Sequence, residues 1–223
     1  AATVVAAGIL IAITCLRYRT FSSPNFDLGI FVQMFHNMKT CGLPLTTVER
    51  DGLLAHFRVH MSPIYYLMLP FYCLAPRPET LQVLQAAVMA SSVLPLWKLG
   101  RHHGLSRAQR CLLCAVLLLV PAFAGGAAYD LHENCFLTPL LLWLLYGIDR
   151  KSIPITAIAA ALTAMVKEDA AVYVAVVALW LVFRICVNVR AKTFCLKTEA
   201  LQLLMLINLA VISGSAPTKG MPA

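Results

Sequence analysis

Asp27, the pair His56 and His60, the cluster Asp130, His132 and Glu133, and the triplet Lys167-Glu168-Asp169 are the side chains whose type and spacing suit chemistry. Asp27 precedes Leu28, Phe31, Val32 and Phe35, which follow helical spacing. Asn25 or Asp27 would start that helix, so a cap for its free N–H groups weighs equally with a chemical role for the aspartate. His56 and His60 stand four apart, which is metal-ligand spacing without the glutamate of a zinc protease motif. They read as well as polar anchors at headgroup depth.

Tyr129 to Asn134 concentrates an aspartate, a histidine and a glutamate between two apolar runs. Such a loop suits a hard divalent cation, Mg or Mn, and its plainer reading is a solvated turn. Lys167, Glu168 and Asp169 interrupt about thirty otherwise apolar residues, and ionisable groups near membrane depth default to a functional role. Lys167 is a point charge suited to a lipid-linked phosphate; alternatively it snorkels, or pairs with Glu168 in a tight turn.

The chain that must position these groups has 223 residues, 60% hydrophobic and 13% charged, with a mean hydropathy of +0.78. A soluble domain has roughly a quarter of its residues charged, and too few polar side chains are present here to cover a water-facing core. The apolar surplus calls for lipid. The net charge of +8 does not point to nucleic acid, because the Lys and Arg residues sit in short loops between apolar runs. Eight cysteines lie mostly in apolar stretches as small buried hydrophobes with no disulfide framework; Cys111 and Cys114 form a lone CxxC that reads as packing.

A spanning helix needs about 20 mostly apolar residues. Apolar runs fall at 1–16, 80–99, 110–127, 134–148, 153–166, 170–185 and 199–213, which predicts an all-α polytopic transmembrane bundle of about seven spans in one domain, 1–213. The tail 214–223 is polar and Pro/Gly-rich and reads as disordered, and the start without Met inside an apolar run reads as a fragment. Residues 63–75 are apolar but short and carry Pro63 and Pro70, so a re-entrant or interfacial segment is expected there. Basic loops around Arg101–Arg110, Arg150–Lys151 and 184–197 then fall on the cytoplasmic side. The acid-bearing loops 17–79, 128–133 and 167–169 fall outside, the first with an amphipathic interfacial helix.

Five ordered stretches carry a resemblance: Phe26-Asp-Leu-Gly-Ile-Phe-Val-Gln33, His60-Met-Ser-Pro-Ile-Tyr-Tyr-Leu67, Pro78-Glu-Thr-Leu-Gln-Val-Leu-Gln85, Asp130-Leu-His-Glu133 and Lys167-Glu-Asp169. Together they resemble the multi-pass membrane proteins grouped as domain of unknown function 2079. That family is in turn similar to the GT-C superfamily of membrane glycosyltransferases, which draw on polyprenyl-phosphate sugar donors. The resemblance implies an enzyme at the external face of the plasma membrane, with membrane lipid and a polyprenyl-phosphate sugar as partners. Asp27 matches the superfamily's acid in the first external loop, a base or metal ligand. Asp130 and Glu133, with His132, are candidates for the second acidic position, where a divalent cation would sit. Lys167, Glu168, Asp169, His56 and His60 are candidates for contacts to donor phosphate or substrate. A clear Asp-x-Asp pair is missing. Two other classes fit the same sequence: a transporter or lipid-binding membrane protein, and a membrane subunit without a site.

Overall fold

The computed structural model describes residues 2–22, 27–50 and 52–190, and these are mostly helical. They divide into two compact units, the first ending at Ala175 and the second beginning at Val176. In the first, α1 (Ala2–Arg19) packs on α4 (Pro78–Ala90), which continues through Ser91 and Ser92 into α5 (Val93–His102). Between them lie α2 (Asp27–Cys41), a two-residue antiparallel pair of strands, β1 (Leu45–Thr46) and β2 (Leu54–Ala55), and α3 (Tyr65–Leu74). Then follow α6 (Arg107–Leu119), α7 (Pro121–Ala128), α8 (Leu137–Asp149), α9 (Ile153–Ala164) and α10 (Ala170–Arg190). In the second unit the described residues are the end of α10, where Arg184 lies over the Trp180 ring at 5.1 Å.

The apolar runs are helical where they are described, but seven spans are not supported. Among the described residues one helix, 78–102, is by itself long and apolar enough to cross a membrane. α6 and α7 meet the requirement only as a pair, and they bend by 54°. The bend has a local cause: Val120 precedes Pro121 and is driven to an extended ψ of 126°, and Pro121 then starts a new helix at its first position. The runs near 140 and 160 yield helices of 13 and 12 residues, and at 1.5 Å per residue such lengths reach only about 18–20 Å of the roughly 30 Å needed. The run 199–213, the tail 214–223 and the basic residues of 191–197 lie outside the described residues.

The outer surface still asks for an apolar solvent. On α6 only Cys114 is buried, while Leu112, Val116 and Leu119 are exposed along one side, Leu119 at 77%. Ile153 is 82% exposed at the start of α9. Cys111 is exposed and Cys114 buried, so the CxxC pair faces two environments on one helix. Inside, Met89, Phe123 and Ala127 form a core under Leu10, Leu117 and Leu118, joining α1, α4, α6 and α7.

α2 has the predicted amphipathic pattern, but its stripe is sheltered by protein. Phe31 and Phe35 pack their rings on Tyr65, with centroids 5.2 and 5.6 Å apart, and Phe35 also meets Tyr72. Gln33 and Asn37 hold the strand pair against the helix: Gln33 Oε1 accepts from the Thr47 N–H at 2.8 Å, and Asn37 Nδ2 donates to the Leu45 carbonyl. Gly42 ends α2 at φ +75°, a conformation other residues rarely adopt. α3 contains Pro70 and is ten residues long, in keeping with a segment that does not span.

α8 and α9 form the tightest hairpin. A Cβ at Gly147 would sit 2.7 Å from the backbone N of Thr156 and 2.8 Å from its Oγ1, so the two helices approach as closely as a glycine allows. Gly147→Ala is therefore expected to lower stability by about 1–3 kcal/mol, because backbone has to move to admit the methyl. Thermal unfolding in detergent reads this out, and an unchanged midpoint would mean the hairpin yields freely.

Candidate functional site

The α8–α9 hairpin decides which charges meet. α8 begins just after Glu133 and α9 ends just before Lys167, so an antiparallel pair returns the second loop to the first. Lys167 Nζ lies 3.3 Å from Glu133 Oε1, and the Tyr65 hydroxyl donates to Glu133 Oε2 at 2.8 Å. Lys167 thus pairs across the hairpin with Glu133, and not with its neighbour Glu168. The Glu133 side chain is 1% exposed and that of Lys167 13%. Burial alone pushes the Glu133 carboxyl up. His132, a backbone N–H, Lys167 and the Tyr65 hydroxyl outweigh it and hold the group below its ordinary value.

Glu168 turns the other way. Its Oε2 accepts from the Met61 N–H at 2.9 Å and its Oε1 meets His60 Nδ1 at 3.0 Å. The Ile64 N–H donates to the Met165 carbonyl, so the stretch before α3 is stitched to the end of α9. Partial burial raises the Glu168 carboxyl, but the His60 bond and the backbone donors leave it lowered. His56 does not share a ligand with His60: its Nδ1 meets Glu49 Oε2 at 2.9 Å, and its ring packs on Phe31 and Tyr65. Asp169 is exposed.

Asp27 is the first residue of α2, where its charge meets the positive end of the helix dipole, and its Oδ2 accepts from the Tyr129 hydroxyl at 3.0 Å. Asp27 and the Asp130 loop therefore lie at one end of the bundle. Asp130 is buried next to Tyr129, and Gln85 clamps the loop: its Nε2 donates to the Tyr129 and Asp130 carbonyls at 3.4 and 3.3 Å, and its Oε1 accepts from the His132 N–H at 2.8 Å.

As a cation site the cluster Asp130, His132 and Glu133 is a poor fit in this arrangement. Both Glu133 oxygens are engaged, and His132 Nδ1 accepts from the Asn134 N–H at 3.3 Å. Among the described residues no three His, Cys, Asp or Glu side chains gather as metal ligands would. The positive charge beside Glu133 is that of Lys167.

Sequence reasoning missed Gln85, Tyr65 and Tyr129 as parts of this site. Gln82 and Gln85 carried a signal: two amides three apart inside an apolar run fall on one helix face, where burial without partners is costly. The tyrosines had none, since an aromatic beside an apolar run is ordinary.

The chain matches, over residues 17–216, the family described as "Predicted membrane protein (DUF2079)". No curated protein and no solved structure matches it.

Proposed function

The chain belongs to that family of predicted membrane proteins, and from this premise we propose that it is a GT-C-like membrane glycosyltransferase. It uses a polyprenyl-phosphate-linked sugar at the external membrane face. The observation that supports the reading is that one short loop carries both contacts: Tyr129 donates to Asp27, the acid at a helix start, and Glu133, four residues on, is the buried carboxylate that pairs with Lys167.

In this mechanism Asp27 takes the proton of an acceptor hydroxyl, whose oxygen bonds to the anomeric carbon as the bond from that carbon to the donor phosphate oxygen breaks. The electron pair leaves with the polyprenyl phosphate. The Tyr129 hydroxyl occupies Asp27 Oδ2 and orients the carboxylate, which retains lone pairs for the acceptor. Lys167 has three donors; one faces Glu133 and the others are available to stabilise the charge developing on the phosphate. Glu133 and the Tyr65 hydroxyl fix where that ammonium sits.

The test supplies a short-chain polyprenyl-phosphate sugar and follows release of polyprenyl phosphate. Asp27→Asn, which keeps shape and hydrogen-bond acceptance, is expected to lower turnover by about 10²–10⁴-fold, the usual contribution of a general base. Chelation with EDTA is expected to leave turnover intact, because Lys167 supplies the positive charge. Loss under EDTA with recovery in Mg or Mn would transfer that role to a cation. Turnover by Asp27→Asn equal to wild type sinks the assignment of the base.

A further inference from the structure

The opposite end of the bundle has its own design. We propose that the surface made by the end of α5, the start of α6 and the α8–α9 turn is a headgroup-binding site for anionic phospholipids. It stands independently of the transferase reading.

Lys98, Arg101, Arg107, Arg110, Arg150 and Lys151 gather there, because α5 packs on both α6 and α8. The acid among them is Asp149, and it is flanked by two imidazoles: Oδ2 lies 3.4 Å from His102 Nε2 and 3.2 Å from His103 Nε2. Arg150 Nη1 donates to His102 Nδ1 at 3.2 Å, so that nitrogen accepts. The carboxylate is thereby set back among the rings, its side chain 16% exposed. Arg101, Arg107, Arg150 and Lys151 are all exposed.

Two features separate a lipid headgroup from a soluble anion. First, the cations stand on aromatic rings of the kind that settle at headgroup depth: Arg110 lies over Trp97 at 4.3 Å, and Lys98 lies 5.9 and 5.6 Å from the Trp143 and Tyr146 rings. Second, lipid-facing surface begins within one helical turn. Leu94, one turn before Lys98, and Leu112 on α6 are exposed, at 46% and 66%. A phosphate bound by these cations therefore has apolar side chains beside it for its acyl chains. An exposed Lys or Arg near an anionic leaflet contributes on the order of 1 kcal/mol, so several act together.

The test is native mass spectrometry of the full chain released from detergent, titrated with phosphatidylglycerol and with phosphatidylcholine of the same chains. Wild type is expected to retain phosphatidylglycerol about tenfold more than phosphatidylcholine, and Arg101→Gln with Lys151→Gln to bring the two near parity. Both positions are exposed, so the fold is not at stake, and each single variant should give an intermediate ratio. Lys39→Gln, on α2 at the other end, should leave the preference intact. Equal retention of both lipids by wild type, an unchanged preference in the double variant, or displacement of phosphatidylglycerol by free glycerol phosphate each overturns the proposal; the last would mark a soluble-anion site.

Discussion

Lys167→Met is expected to be the most damaging single change outside the helix cores, lowering stability by about 3–5 kcal/mol, the range for breaking a buried ion pair on one side. In a detergent melt this corresponds to a fall on the order of 10 °C. The reason is asymmetric burial. Glu133 is almost sealed, so removing the ammonium leaves a buried carboxylate supported only by His132, a backbone N–H and the Tyr65 hydroxyl. Glu133→Gln should cost less, because Lys167 keeps some access to solvent and its long chain can shift toward it. Tyr65→Phe removes one hydrogen bond to a charged group and should cost about 1.5–3 kcal/mol.

The pH dependence gives the sign. The folded-state pKa of Glu133 lies below its ordinary value of 4.5. Its ionised form therefore contributes stability that is complete above that value and is lost as pH falls through the folded pKa. Without Lys167 one of the influences that oppose burial is gone, and the carboxyl protonates more readily. The gap between wild type and Lys167→Met should accordingly be widest near neutrality and close as pH drops below about 5. A gap constant with pH would mean the lysine acts through packing of its methylenes and not through charge.

What the sequence showed, and what it hid, follows from the range of the interactions. α2 was legible because a stripe at Leu28, Phe31 and Phe35 is a local pattern, and all three are buried. The charge-bearing loops were legible as loops: Glu133 and Lys167 adjoin one end of the α8–α9 hairpin, and Asp149, beside two histidines, adjoins the other. Pairing was not legible. Lys167 adjoins Glu168 in the chain, yet each finds a distant partner, Glu133 across the hairpin and His60 before α3. Span count failed because hydropathy does not see where a helix stops: Pro121, the 3₁₀ turn at Glu133–Phe136 and the break before Ala170 all fall within or beside apolar runs.

The second large effect is expected at Gln85, whose side chain is fully buried and joins three backbone groups of the loop that carries Asp130. Gln85→Leu nearly preserves volume, but it strips the acceptor from the His132 N–H at 2.8 Å and the donor from two carbonyls. One buried group left without a partner costs about 1–3 kcal/mol, and the N–H has the shortest bond to lose, so a total of about 2–4 kcal/mol is expected. Gln85→Glu separates the two halves of the amide. It keeps an acceptor for His132 but turns a second carboxylate oxygen toward the Tyr129 and Asp130 carbonyls, where a donor stood. At neutral pH it should be at least as unstable as Gln85→Leu. Acidification from neutrality to about pH 5 should then raise its melting point, because a protonated carboxyl donates again, while the Glu133 contribution, complete above its ordinary value in both proteins, leaves wild type level over that range. A rise in the variant alone identifies the hydrogen-bond clamp. Parallel slopes would mean that the loop is held by the packing of Leu131 and Phe136, both buried, and that the amide only fills space. The distinction reaches the proposed base directly: Tyr129, whose carbonyl Gln85 holds, is the residue whose hydroxyl donates to Asp27.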